Sequence, residues 1–182
     1  MPLPLRCASL IDRLNRGIGR AAASLALIMV LIGAYNAIAR YAAPYLGRRL
    51  TSNALVESQW YLFSLLFLFG APWVLQTDDH VRVDVLYGRL GERGRCWINL
   101  LGSVLLLLPF AVFAGVTLWP YAALSLQLRE MSNDPGGLAR WPLKLAMPVA
   151  FALLFLQGLA EAIKSIYQLR GVTLAQAEKD AS

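Results

Sequence analysis

Long apolar runs dominate the pattern of hydrophobic and polar positions in this 182-residue chain. Four stretches contain no charged residue, at positions 21–39, 58–77, 96–128 and 145–160. Each run is continuous and rich in Leu and Ala, whereas strands of a membrane barrel alternate over about ten residues. At about 1.5 Å per residue, each run covers about 30 Å of hydrocarbon, the last with its flanking turns. The pattern predicts an all-α integral membrane protein with four transmembrane helices.

The composition agrees with a membrane protein, because 58% hydrophobic residues and a mean hydropathy of +0.53 exceed what a soluble domain of this size buries. We predict one membrane domain over residues 1–170, with spans at about 18–41, 54–76, 96–120 and 142–165, and a polar tail over 171–182. Trp97 and Trp119 bracket the third span as interfacial anchors. Pro109 predicts a kink within that span, and Pro120 predicts a bend before an interfacial extension that runs to Leu128.

The first apolar run has some features of a secretory signal peptide. Arg13, Arg16 and Arg20 precede it, and it ends in Ala37-Ile38-Ala39, which mimics a cleavage site. A signal peptide has an apolar region of about 7 to 15 residues, and this run is longer. An uncleaved first span is therefore favoured over a signal peptide.

The basic residues are distributed unequally between the two sides of the predicted membrane domain. Eleven Lys and Arg residues lie in the N-terminal segment, the middle loop and the tail, against six in the two other loops. The positive-inside rule then places both termini and the middle loop in the cytoplasm. Topology and anionic lipid account for the net charge of +6, so no nucleic-acid partner is expected.

Residues with catalytic or ligand chemistry are sparse. Cys7 and Cys96 are far apart and form no C-x-x-C motif, so no thiol redox pair is expected. His80 is the single histidine, which excludes a haem held by two histidines of this chain. A zinc site would need Asp78, Asp79 and His80 on one short loop, and a solvated loop is favoured there. We predict no enzymatic activity, no catalytic residue, no cofactor and no metal.

A few polar and small residues lie inside the apolar runs, where they are typical of helix packing. Interhelical hydrogen bonds are predicted for the polar residues at depth, which are Asn36, Ser64, Thr117 and Gln157. Small residues four apart form the pairs Gly33 and Ala37, Ala111 and Gly115, and Gly158 and Ala162. This pattern favours a protein that packs against other helices over one that conducts solutes.

Glu57 is the most informative charge near the membrane, because it lies in the first turn of the second predicted helix. The three- and four-residue spacing places it on the same face as Trp60 and Tyr61. One interpretation is that the carboxylate stabilises the helix start, with Ser52 or Asn53 as the cap. The other is an ion pair with a partner subunit. The sequence leaves both open.

The loop after the second span contains a short amphipathic pattern. Val81, Val85, Leu86 and Leu90 fall on one helical face. We therefore predict a short helix over about 81–90 that lies in the inner headgroup region.

Three motifs are specific in combination, although each is weak alone. They are Thr51-Ser52-Asn53 with Glu57-Ser58-Gln59-Trp60-Tyr61-Leu62-Phe63, then His80-Val81-Arg82-Val83-Asp84-Val85-Leu86-Tyr87, and then Ser132-Asn133-Asp134-Pro135-Gly136-Gly137-Leu138 with Arg140-Trp141-Pro142. With four spans, they resemble the small membrane subunit of tripartite ATP-independent periplasmic (TRAP) transporters. The resemblance covers about residues 10–168 and is greatest to the branch labelled mannitol/chloroaromatic or 2-oxo acid uptake.

The resemblance implies a multi-pass protein of the bacterial inner membrane that acts as a scaffold. A large membrane subunit would carry the substrate and sodium sites, and a soluble periplasmic protein would deliver an organic acid to it. The resemblance implies contacts to the large subunit for Glu57, Gln59, Trp60 and Tyr61. It also implies that His80, Arg82 and Asp84 belong to an element at the inner surface that fixes the bundle. On the outer side, docking of the binding protein is a hypothesis for Arg48, Arg49, Arg129 and Arg140, alongside solvated or lipid-facing roles.

Two other classes of function make different demands on the sequence. A stand-alone membrane enzyme needs acid, His or Cys groups that converge within the bundle, and the sequence does not supply such a set. A homo-oligomeric small transporter or channel is the alternative function. It predicts an internal repeat or a charged residue at the midplane, and neither is visible.

Overall fold

The computed structural model describes residues 2–47, 50–77 and 91–171, and the described residues are almost entirely helical. The elements are α1 (Leu3–Leu46), α2 (Asn53–Thr77), α3 (Glu92–Leu101), a π-helical segment (Gly102–Leu107), α4 (Leu108–Gln127) and α5 (Trp141–Leu169). The short helix predicted over 81–90 and the tail over 172–182 lie outside the described residues.

Within the described ranges, four helices are long and apolar enough to cross a membrane. They are Leu3–Leu46, Asn53–Thr77, Arg93–Gln127 and Trp141–Leu169, so α3, the π-helical segment and α4 form one continuous helix. For the described residues, the prediction of an all-α protein with four helices able to cross a membrane is confirmed. α1 extends well beyond the predicted 18–41 span at both ends, with 44 residues.

The start of α2 has a defined cap. The hydroxyl of Ser52 accepts a hydrogen bond from the backbone N–H of Leu55 at 3.3 Å, which is the bond expected of an N-cap serine. Of the two predicted caps, Ser52 therefore fills the role. The side chain of Asn53 is used elsewhere, since it reaches the loop between α4 and α5.

The third membrane-crossing helix changes its winding just before Pro109. Residues Gly102–Leu107 form the π-helical segment, and Pro109 follows in the first turn of α4. A proline lacks the N–H for the usual helical bond and its ring crowds the preceding turn, so a local widening upstream is a physical response to it. Helix α4 then continues through Pro120 to Gln127, and Arg129 follows with a φ of 45°.

Helix α5 is the centre of the bundle. It packs against α1, α2, α3 and α4, while α1 also packs extensively against α2. In the most apolar window of α5, 33% of the residues are buried, against 6% in α2. Most of the remaining helix surface faces outward and is apolar.

Glycines allow the closest helix contacts. An added Cβ at Gly19 would lie 2.4 Å from Cβ of Trp73 in α2. One at Gly158 in α5 would lie 3.0 Å from a methyl group of Leu107. Gly33 faces the side chain of Gln59. Small residues of the predicted pairs are thus used between helices of this chain.

Candidate functional site

Glu57 joins the first turns of α2 to the loop between α4 and α5. Its side chain is buried, with 4% of its surface exposed. One carboxylate oxygen accepts a hydrogen bond from the hydroxyl of Ser132, and the other accepts the backbone N–H of Leu138 at 2.6 Å. Beside it, the Asn53 amide donates to the carbonyl of Pro135 at 3.0 Å. We call Glu57 and residues 128–140 the loop cluster.

The loop of this cluster folds back on itself. Met131 and Ala139 form an antiparallel bridge, and the N–H of Ser132 donates to the carbonyl of Leu138 at 3.0 Å. A Cβ on Gly137 would lie 2.6 Å from that of Ser132 and 2.8 Å from a Glu57 oxygen. The close approach of the loop to Glu57 therefore requires glycine at position 137.

A second carboxylate, Glu130, closes the other side of the loop. Lys144 of α5 donates to it in an ion pair, and the hydroxyl of Ser125 donates to the same oxygen at 2.8 Å. The Lys144 ammonium also lies 4.0 Å from the centre of the Tyr121 ring, a cation–π contact. The hydrogen bonds from Lys144 and Ser125 lower the pKa of Glu130 below its ordinary value.

The structure gives Glu57 a role that sequence reasoning missed. From the sequence, two roles were open for its carboxylate: stabilising the start of the helix, or forming an ion pair with a partner subunit. In the structure, both carboxylate oxygens accept hydrogen bonds from the loop of the same chain. The signal was the Ser132 to Leu138 motif, but its distance of 75 positions from Glu57 concealed the pairing.

The other predicted partner contacts differ in exposure. Trp60 is 40% exposed and its ring lies 4.7 Å from that of Tyr61. Tyr61 is half-buried, and its hydroxyl lacks a hydrogen-bond partner in the described part of the chain. Gln59 is half-buried and faces Gly33 of α1. Among the four predicted residues, Trp60 therefore has the side chain most open to a partner.

The four arginines predicted on the outer side are placed in different ways. Arg129 is exposed, whereas Arg140 is half-buried near the carboxylates of Glu57 and Glu130. Arg48 and Arg49 lie outside the described residues. The predicted inner-surface element, consisting of His80, Arg82 and Asp84, lies outside them as well.

A second polar group, which we call the terminal cluster, lies between α1 and α5 at the opposite end of the bundle. It comprises Asp12, Asn15, Gln157, Glu161 and Lys164. The Asn15 amide donates to the Gln157 side-chain oxygen at 2.7 Å, and the Gln157 amide donates to Asp12 at 2.8 Å. Lys164 donates to Asp12 at 3.1 Å and to Glu161 at 2.5 Å. Asn15 and Gln157 are almost fully buried.

Predictions about polar residues in the apolar runs were partly correct. Gln157 makes its predicted interhelical bonds, and the Asn36 amide donates from α1 to the Leu55 carbonyl of α2 at 3.2 Å. Ser64 instead donates to the Trp60 carbonyl of its own helix, at 2.8 Å. A serine hydroxyl reaches the carbonyl four positions earlier without any neighbouring helix, which explains the wrong prediction.

An apolar groove of about 660 Å³ runs between α4 and α5. Ala111 and Gly115 line it on α4, with Pro148 and Ala152 opposite on α5, and Trp119 lies at its side. In the described part of the chain, no three His, Cys, Asp or Glu residues form a group that could hold a metal. The loop cluster holds the loop between α4 and α5 in place, and the terminal cluster joins α1 to α5.

Four apolar membrane-crossing helices with polar clusters at their ends define a multi-pass membrane protein. A family profile described as "Tripartite ATP-independent periplasmic transporters, DctQ component" matches residues 29–167. The chain belongs to this family, and is the small subunit of a TRAP transporter. The family is a transporter component and not an enzyme family. No curated protein and no solved structure gives a significant match to the chain.

Proposed function

We propose that this subunit is a scaffold for a large substrate-translocating subunit in sodium-coupled uptake of an organic acid in a bacterial inner membrane. A periplasmic binding protein delivers the acid. The observation that carries the proposal is the family match over residues 29–167, which covers the second and third long helices, nearly all of the fourth and the C-terminal part of the first. The substrate class follows the sequence resemblance to the mannitol/chloroaromatic or 2-oxo acid branch.

The proposed topology places both termini in the cytoplasm and the loop cluster in the periplasm. The excess of Lys and Arg on the side of the termini supports this orientation. In this topology, the hydrogen-bonded loop of residues 128–140 is presented toward the binding protein. Exposed Arg129 is the best-placed of the described predicted docking residues, because Arg140 is half-buried beside carboxylates.

For the large subunit, we propose a contact face on α2. The first of the three motifs that carry the resemblance runs through the start of α2. The exposed large apolar residues in this part of α2 form one row of Val56, Trp60, Phe63 and Phe67. Their spacing of four, three and four positions keeps them on one helical face. A row with two phenylalanines and a tryptophan offers a large apolar contact area to another membrane helix.

Affinity purification of the tagged chain from its native membranes in mild detergent tests this function. Mass spectrometry of the retained proteins should find one much larger polytopic protein in stoichiometric amount. Recovery of this chain alone as a stable homo-oligomer would reject the scaffold role and favour the self-contained transporter or channel.

Two matched variants test the contact face within the same purification. Phe67→Ala on α2 and Phe113→Ala on α4 remove side chains that are equally exposed, at 69% each. Truncation of an interface anchor weakens binding by about tenfold or more. We expect Phe67→Ala to lower recovery of the large subunit while Phe113→Ala leaves it unchanged. Equal recovery with both variants would move the interface away from α2.

A further inference from the structure

The first five turns of α1 carry two unlike rows of exposed side chains. The apolar row comprises Leu3, Leu10 and Leu14, which are 76%, 62% and 49% exposed. The arginine row beside it comprises Arg6, Arg13, Arg16 and Arg20, all exposed. Spacings of three, four and seven positions hold each row together on the helix surface.

The opposite face of the same segment is fixed against the rest of the bundle. Leu5, Ala8 and Asn15 are each 1% exposed. Asn15 bonds to Gln157, and Gly19 packs against Trp73. The helix therefore cannot rotate to bury the apolar row, which stays directed outward.

Two contacts with α5 relate the depth of this segment to an interfacial tryptophan. Asp12 of α1 pairs with Lys164, and Cys96 of α3 donates to Gln168 at 3.4 Å. Lys164 and Gln168 are one turn apart, about 6 Å along the helix. Trp97 follows Cys96 and is 54% exposed, as expected of an anchor at the headgroup boundary. The segment around Asp12 thus lies close to that boundary.

The length of α1 leads to the same depth. Its 44 residues extend about 66 Å, whereas a bilayer with headgroups is about 40–45 Å thick. An upright helix would project by about 20 Å and expose the apolar row to water. A tilt of about 40°, at the upper end of the observed range, shortens the vertical extent to about 50 Å. Each end of a centred helix then lies about 10 Å outside the hydrocarbon, so Leu10 and Leu14 reach the acyl boundary while Leu3 lies among the headgroups.

The exposed charge of this segment is positive. Asp12 is the one carboxylate between Leu3 and Arg20, and Lys164 and Gln157 already bind it. Arg16 donates to the side-chain oxygen of Gln76 at 2.9 Å, with the amide oriented so that both groups are satisfied. Among the described residues, no carboxylate is paired with a member of the arginine row.

We propose that the first five turns of α1 bind anionic phospholipid headgroups through the arginine row while the apolar row inserts at the acyl boundary. Four arginines next to a membrane span and a neighbouring apolar row supply the charge and surface complementarity for an anionic lipid layer. The inference rests on the surface and packing of α1 in a membrane protein and is independent of the proposed scaffold role.

Native mass spectrometry of the complete chain, released from mixed phosphatidylglycerol and phosphatidylcholine nanodiscs, tests the binding. Arg6→Gln with Arg13→Gln should reduce retained phosphatidylglycerol by about fivefold for each arginine removed. Arg129→Gln removes an exposed arginine at the opposite end and should leave this retention unchanged. Equal retention by the double variant and the wild-type chain would overturn the proposal.

A spin label measures the depth separately. Cys7 is exposed and lies between Leu3 and Leu10 along the apolar row, so it can be labelled directly once Cys96 is changed to Ser. In nanodiscs, we expect the label to be more accessible to oxygen than to a water-soluble nickel chelate. The reverse order would place the row in water, where a soluble acidic protein would be the better partner, and would also overturn the proposal.

Discussion

Glu57 organises a loop that begins about 70 positions further along the chain. Its two oxygens accept hydrogen bonds from Ser132 and Leu138, and Gly137 allows the loop to approach. The loop therefore depends on a charged acceptor near the start of α2. A neutral amide of the same shape cannot accept both bonds, because one of its two positions carries hydrogens.

We predict that Glu57→Gln loosens this loop. The backbone N–H of Leu138 should exchange its hydrogen about tenfold faster, because the neutral amide oxygen that replaces the carboxylate is a weaker acceptor. Hydrogen exchange of the purified chain, read by mass spectrometry over residues 132–138, measures this. Asn133→Ala changes an exposed residue of the same loop and serves as the control. Unchanged exchange in Glu57→Gln would contradict the role assigned to the carboxylate.

The loop should also respond to acid through Glu130. Bonds from Lys144 and Ser125 lower its pKa below the ordinary value of 4.5. A carboxylate with a lowered native pKa contributes stability that is fully present above pH 4.5 and is lost as the pH falls through the native pKa. We expect exchange at residues 128–131, corrected for the intrinsic rate, to rise as the pH is lowered below 4.5. Glu130→Gln should remove this acid response, and a persistent response in that variant would assign it to another group.

Sequence reasoning predicted the role of a single residue where its position within one helix was enough to infer it. The Ser52 cap and the interhelical bonds of Asn36 and Gln157 followed from position and polarity. The partners of Glu57 and the pairing of Asp12 with Lys164 did not follow. Each joins residues far apart in the chain, and a single sequence contains no signal that selects one distant partner over another.

At the scale of elements, helix contacts are set by glycines that sequence spacing identified only in part. The pattern Gly158 to Ala162 was noted, but Gly19 was not, although it makes the closest approach to a neighbouring helix. Its partner is the Cβ of Trp73, which cannot move without moving the backbone of α2. The contact explains why α1 and α2 pack closely near the terminal cluster.

We predict that Gly19→Ala destabilises the bundle while Gly17→Ala does not. An added methyl at position 19 would lie 2.4 Å from Trp73, and the overpacking should cost about 1–3 kcal/mol. Gly17 has nothing within 4 Å of such a methyl, so alanine there should stabilise the helix by about 0.5–1 kcal/mol. Unfolding of both variants by SDS in mixed micelles measures the difference. A similar loss of stability in both variants would show that replacing glycine in α1 lowers stability without any need for the Trp73 contact.

Hydropathy predicted the four membrane-crossing helices because each apolar run is continuous. It did not predict the π-helical segment before Pro109, since the widening depends on how one turn accommodates a proline ring. Helix α1, from Leu3 to Leu46, is longer than the span predicted over 18–41. On its N-terminal side, α1 continues through turns in which Leu5, Ala8 and Asn15 pack on the rest of the bundle, which local hydropathy does not register.

At the scale of the whole molecule, the bundle is thin and outwardly apolar. Among the described helices, α5 packs on the largest number of neighbours, and many large side chains of α1, α2 and α4 face outward. The polar clusters lie at the two ends and are bonded largely within the chain. This distribution favours a subunit that offers surface to lipid and to a larger membrane partner.

Transport by reconstituted vesicles tests the scaffold role most directly. One set of proteoliposomes would contain this chain alone, and the other would contain the assembly purified with it. Both would receive the binding protein, a sodium gradient and a labelled substrate. The substrate would be a 2-oxo acid such as pyruvate, or another organic acid that the binding protein retains. We predict uptake by the assembly, and flux no greater than that of protein-free liposomes for the chain alone. Substrate flux through vesicles that contain only this chain would contradict it, because the translocation path would then lie within these four helices.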